Sequence, residues 1–320
     1  MKRRLSLVLL VVGAFLIIFS ATSYSMKENK DSEVKEDNKK DDMKDVKRSS
    51  DFSYHPPMYK VCDLNSCVTL VSYTKLGDDY VLNLDNKIKE VLTKDKEVVI
   101  EANDTDIDEM EYLKNFVLAS GDSLDKYLDE STITKLTKFG EEHTNYNYDK
   151  YKLYNIGFNH RSIENIMYVT AGLNKDGIIP TIINTLKENT IKYNVLENSD
   201  YDVKFINNYD SDLYKKFIND NIDNFDNKVK DIKKLYNAYL DNDIDYLNKY
   251  YSIDLDSIKD EEELRFYTDK FVTKNEIYSY EIIGLLNDDI DKVLFFNIEN
   301  MFGNRGILTF LKDYKVDLIK

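Results

Sequence analysis

An α/β fold, a β-sheet covered by helices, is what the sequence predicts, and two observations predict it. From residue 59 to residue 319 the apolar spacing switches repeatedly between short strand-like runs and longer segments of helical period. No solenoid-type repeat interrupts that alternation, and residues 51–320 suffice for one large domain with a sizeable core, or for two small ones.

The elements follow in order. Apolar runs at 59–61 and 68–71 flank the polar turn Asp63-Leu64-Asn65-Ser66, which reads as a hairpin. Cys62 and Cys67, the only cysteines, bracket that turn and face each other across it. In an exported protein such a pair forms a structural disulfide more often than a redox or metal site, and a loop this short makes it a local clip. Residues 82–92 have helical spacing and lead into the buried-strand run Glu97-Val98-Val99-Ile100-Glu101. Helices are expected at 107–119 and 131–139, the second closing at Gly140 as its C-terminal cap. Residues 141–152, polar and tyrosine-rich without a period, read as a surface excursion. Helical patterns resume at 162–171 and 179–186, and residues 192–197 form a strand ending in a carboxylate. Residues 213–251 are largely helical and acidic, and the acidic stretch around 210–243 is most simply a solvated face. A helix at 274–286, a strand at 293–296, a helix at 306–311 and a closing strand at 316–319 complete the chain.

The N-terminus reads as a targeting signal. Lys2, Arg3 and Arg4 precede fifteen uncharged residues from Leu5 to Phe19, and small residues follow, allowing cleavage before Tyr24 or before Met26. A bilayer core needs about 20 apolar residues, so a cleaved signal peptide over 1–25 is favoured over a retained N-terminal membrane anchor. Residues 26–50 carry eight basic and eight acidic side chains with almost no large apolar residue, and read as a disordered charged linker. A secreted or cell-surface location follows as an expectation. Losing the three leader cations takes the net charge from -15 to -18, which disfavours nucleic acid and anionic lipid; membrane contact is expected only through an uncleaved N-terminal segment.

The tail from Val293 carries a family pattern. Here Asn297, Asn300, Gly303 and Gly306 precede a short helix and a last strand. This is similar to the end of TraB/GumN domains, where a strand runs into Gly-x-x-His, two further glycines, a helix and a strand. Asn297 stands at the motif's glycine and Asn300 at its histidine. Family members also begin with a hairpin ending in Gly-x-x-His, then a helix and a strand ending in glutamate; here Ser72-Tyr73-Thr74-Lys75 occupies the motif, so Lys75 replaces the first histidine, and Glu101 closes the next strand. Between these, Leu196-Glu197 resembles the family's strand-end Leu-Glu, residues 238–243 its Ala-Tyr-x-x-Gly-Asp helix, and Lys274-Asn275 its Arg-Asn pair.

The resemblance implies a central mixed β-sheet covered by helices, the TraB/GumN (EreA/ChaN-like) architecture over residues 51–320, and an extracytoplasmic metal-dependent hydrolase or peptidase. Such a site needs imidazole lone pairs and carboxylates around a divalent ion. A protonated lysine has no lone pair, and an amide oxygen is a hard, weak ligand. The family positions that would form a site are Lys75, Glu101, Glu197, Lys274 and Asn300, with Glu101 and Glu197 the remaining metal-ligand candidates. One expectation is a catalytically degenerate member that binds a peptide or protein partner and needs no cofactor, with Lys75 either pairing with Glu101 or Glu197 or standing as an exposed lysine on a strand end. A second is an active enzyme whose carboxylate-rich site takes manganese, calcium or zinc. A third is a cell-surface structural or adhesion module.

Other motifs add little. Gly157-Phe158-Asn159-His160 is a literal Gly-x-x-His in the wrong place for either family motif, and reads as chance. His55 and His143 read as surface residues. No Ser-His-Asp or Cys-His set stands out, and no phosphate loop appears among the ten glycines. The twenty-five tyrosines could form a carbohydrate or peptide surface, but a half-buried amphipathic role is the simpler reading.

Overall fold

The computed structural model describes residues 52–319 apart from 65, 83–85, 94, 104–107, 198 and 287–290. The expected leader and linker lie outside the described residues. Six strands form the main sheet: β1 (Met58–Cys62), β2 (Cys67–Tyr73), β4 (Glu97–Ala102), β6 (Tyr193–Glu197), β7 (Lys292–Asn297) and β8 (Lys315–Ile319). Their order is β6-β4-β7-β2-β1-β8, while β3 (Leu76–Gly77) and β5 (Lys175–Asp176) make a separate two-stranded ribbon. β6, β4, β7 and β2 run parallel, and β1 is antiparallel to both β2 and β8, so the sheet is mixed.

Sequence accounts for the order. β7 lies between β4 and β2, and parallel strands covered on both faces read as continuous apolar runs; Val293, Leu294, Phe295 and Phe296 are all fully buried. The outer strand β8 keeps an exposed, charged pattern suited to an edge. In the opening hairpin Cys62 pairs in register with Cys67, and the two form the disulfide.

Among the helices, Ile156–Thr170 packs against Ser211–Asp223 and Phe225–Leu240. The last of these buries Phe225, Val229, Ile232, Leu235, Tyr236 and Tyr239, so the acidic stretch is an amphipathic core helix and not only a solvated face. Asp210, Asp243 and Asp260 each cap the helix that follows by accepting a backbone N–H.

Several expectations are corrected. The helix placed at 131–139 runs Glu130–Glu142 through Gly140, which is not a C-terminal cap but a point of close approach, since a Cβ there would stand 2.9 Å from the carbonyl of Tyr146. That next segment is no surface excursion: Tyr146, Tyr148 and Tyr151 are buried, and Tyr146 donates to Asn159 Oδ1 at 2.6 Å. Phe139, Tyr146, Tyr151, Tyr154 and Phe158 form a chain of ring contacts, so tyrosine here is core material. The helix at 107–119 is shorter, Glu109–Lys114, capped by Asp108. Helices at Ser199–Asn207 and Glu261–Tyr267, and a π-helical segment at Thr268–Thr273, had no expectation behind them.

His160 is neither a surface residue nor part of a Gly-x-x-His site. It lies inside the helix Ile156–Thr170, buried between the rings of Tyr214 and Phe217. Burial pushes its pKa below the ordinary imidazole value, and the charges of Lys270, Lys228 and Arg161 add to this against the opposing pull of Glu164. A depressed folded pKa contributes stability that is full above the unfolded value of about 6.5 and is lost as pH falls through the folded one. Melting temperature measured against pH is therefore expected to decline from about pH 6.5 downward, and His160→Phe is expected to flatten that limb; an unchanged slope would exclude this source.

Candidate functional site

The carboxyl ends of β2, β4, β6 and β7 lie side by side: Tyr73 pairs with Asn297, Ile100 with Phe295 and Ala102 with Glu197. Ligands of open parallel sheets bind at these ends. Glu101, at the end of β4, is buried and has all its near partners within the fold. Its Oε1 accepts from Asn300 Nδ2 at 2.6 Å and from Lys274 Nζ at 3.2 Å, and its Oε2 accepts the Asn297 backbone N–H at 2.6 Å.

Asn297 and Asn300 serve this through the local turn. The Asn297 side chain caps the short helix Ile298–Met301 by accepting from Glu299, which leaves its own N–H free to point at Glu101. Asn300 in that turn is buried and directs its amide group to the same carboxylate. A carboxylate only accepts, so the amide must present its NH2. Gly303 then takes φ +93°, and a Cβ there would stand 2.3 Å from the Tyr251 carbonyl; at Gly306 it would stand 2.4 Å from the Phe302 carbonyl. Both glycines are therefore required by close backbone approach, whatever stands at the histidine position.

Lys274 opens the helix Lys274–Leu285 and reaches both carboxylates, Glu101 at 3.2 Å and Glu197 at 3.0 Å, with its side chain only 14% exposed. Its ammonium also sits 5.3 Å from the ring centre of Tyr201 and 5.5 Å from that of Tyr278, whose hydroxyl donates to Glu197. Burial raises the Glu101 pKa, against the opposing effect of Lys274. Burial would lower the Lys274 pKa, but the attraction of Glu101, Glu197 and Glu299 more than offsets it, so the ammonium is held firmly protonated.

A second ion pair continues the row. Lys270, in the π-helical segment, meets Glu299 at 3.3 Å. Burial opposes ionisation of Glu299, yet Lys270, Lys274 and Lys75 together lower its pKa to about 2. Arg161 pairs with Asp202, which also accepts from Tyr112 at 2.8 Å.

Of the five family-position residues, Glu101, Glu197, Lys274 and Asn300 come together. Lys75 is exposed at the end of β2 and forms none of the ion pairs among the described residues; it contributes at longer range to the field on Glu101, Glu299 and Asp202. The pairing considered for Lys75 is made by Lys274, and Lys75 itself is the exposed lysine of the alternative reading. Tyr278 was missed, although it lies one helical turn after Lys274, a spacing that puts both on one face. Tyr201, Lys270 and Glu299 were also missed, and of these only Glu299, inside the tail motif, had a sequence signal.

A divalent ion fits these residues poorly. Both oxygens of Glu101 accept from donors, Glu197 takes an ammonium and a phenol, and the amide of Asn300 donates. Among the described residues no three His, Cys, Asp or Glu side chains converge on one point.

The family's Ala-Tyr-x-x-Gly-Asp segment is equally structural here. Tyr239 is fully buried, touching the Tyr54 hydroxyl and donating to the Ser72 carbonyl at 3.0 Å. Asn242 stands at the glycine with φ +55°, a left-handed cap that asparagine tolerates, and donates to the His55 carbonyl at 2.8 Å.

Comparison with curated proteins and with solved structures returns no match. The family model for the TraB/PrgY/gumN family matches residues 61–317, from β1 to within β8. The strand ends, the paired carboxylates and the two tail glycines all fall inside this match, and the chain belongs to the TraB/PrgY/gumN family.

Proposed function

We propose that this is an exported member of its family that acts by binding a peptide or protein partner, without metal-dependent hydrolysis. The observation that carries the reading is the hydrogen bond from Asn300 Nδ2 to Glu101 Oε1 at 2.6 Å. At the position of a family histidine the chain offers a donor to a carboxylate, where metal chemistry needs a lone pair aimed at an ion. Lys274 supplies the positive charge that the carboxylates require. The export component rests on the basic and apolar N-terminal pattern. Among the described residues no helix is long and apolar enough to cross a membrane.

Elemental analysis tests the reading directly. The domain from Asp51 to Lys320, purified without chelator and dialysed against manganese, calcium and zinc in turn, is expected to retain well under one equivalent of any of them. Near-stoichiometric metal would overturn the reading and restore the hydrolase.

A further inference from the structure

Glu101, Glu197, Tyr201 and Tyr278 all lie close to a single ammonium, that of Lys274. Two carboxylate oxygens lie at 3.2 and 3.0 Å and two ring centres at 5.3 and 5.5 Å. Carboxylates with aromatic faces suit an alkylammonium, because the carboxylates accept from its N–H groups and the ring quadrupole attracts its charge, while a ring face gives a small divalent ion no lone pair. The Tyr278 hydroxyl donates to Glu197, which fixes that carboxylate and its ring together. Tyr201 is 37% exposed, so one wall of the enclosure meets solvent at the carboxyl ends of the strands.

We infer that Glu101, Glu197, Tyr201 and Tyr278 form a receptacle for a primary alkylammonium group, filled in the resting protein by Lys274 and open to an external amine once Lys274 withdraws. The inference rests on the reading of the site as metal-free and adds the class of ligand it accepts: an amine such as a lysine side chain or a peptide N-terminus. The tethered occupant competes with any external one, so affinity for amines in the wild type is reduced by the fraction of time that Lys274 is home.

Chemical rescue tests this. Lys274→Ala removes the last three carbons and the nitrogen of the side chain, which are the atoms of n-propylammonium. The variant is expected to melt lower than wild type, and n-propylammonium to restore part of the loss saturably, while n-propanol and manganese chloride do not. Glu197→Gln added to Lys274→Ala is expected to abolish the restoration. Amine rescue no greater than that by propanol, or rescue untouched by Glu197→Gln, would overturn the inference. So would rescue by manganese in place of the amine, and that result would leave the metal content of the wild type, and the reading built on it, to stand separately. If Lys274→Ala does not fold, reductive methylation of the wild type gives the answer by mass spectrometry. Lys274 is expected to react at least about tenfold more slowly than the exposed Lys75, because it must first leave its enclosure; equal rates would show the receptacle to be empty in solution and overturn the inference.

Discussion

Replacing Glu101 by alanine is expected to destabilise the fold by about 3–5 kcal/mol, the range seen when one partner of a buried ion pair is deleted. The loss has three parts. Lys274 keeps Glu197 but is left with one carboxylate where it had two. The Asn297 N–H and the Asn300 amide, both buried, lose their acceptor. Glu101→Gln is expected to cost less, since an amide oxygen can still accept from one of them while its NH2 faces the other donors. Urea unfolding of the three proteins checks the ranking, and equal stability of wild type and Glu101→Ala would show that this network is not held together in solution.

Gly303→Ala is expected to be still more damaging and to yield little folded protein. The backbone there has φ +93°, which a side chain adopts only with strain, and the new Cβ would lie 2.3 Å from the Tyr251 carbonyl and 3.1 Å from the Ser252 nitrogen. That peptide group is backbone and cannot yield as a flexible side chain would. Gly284→Ala is the control, since nothing lies near its Cβ and its φ is ordinary; alanine there is expected to be neutral or stabilising by a few tenths of a kcal/mol, up to about 1 kcal/mol. Circular dichroism and melting temperature distinguish the pair. A well-folded Gly303→Ala would mean that the Asn297–Gly306 turn takes another path.

Much of the sheet was legible because the signals are local. The run Val-Leu-Phe-Phe at 293–296 reads as a strand covered on both faces, and Glu101 ends a similar run, whereas Glu197 ends a half-exposed edge strand. The site was legible only in part. That Lys274 rather than Lys75 meets the carboxylates depends on how a helix far along the chain lands on the strand ends, and pairwise spacing carries no such information. The segment of Tyr146, Tyr148 and Tyr151 reads as a loop for a related reason: surrounded by Asn, Asp and Glu these residues lack a period, yet Tyr146 packs beside Phe139 and Tyr151 beside Phe158. Polar neighbours made a core segment look like a loop. The Gly157–His160 motif is set aside in the sequence for standing in the wrong place, and its burial was not legible there, because Tyr214 and Phe217, which cover His160, come from a helix far along the chain.

The pairing of β1 with β8 has a consequence for how the domain is made. Met58 is hydrogen-bond neighbour to Ile319, so strands from opposite ends of the described chain share one ladder. Entropy of closing so long a loop grows only slowly with length, but the closure must wait until the last strand is available. Until then the outer edge of β1 presents unpaired backbone groups, a template for association with other chains. A chain emerging N-terminus first would thus carry an unprotected strand through nearly all of its synthesis, with the β1–β2 ladder and the Cys62–Cys67 clip holding the hairpin's own register while it waits.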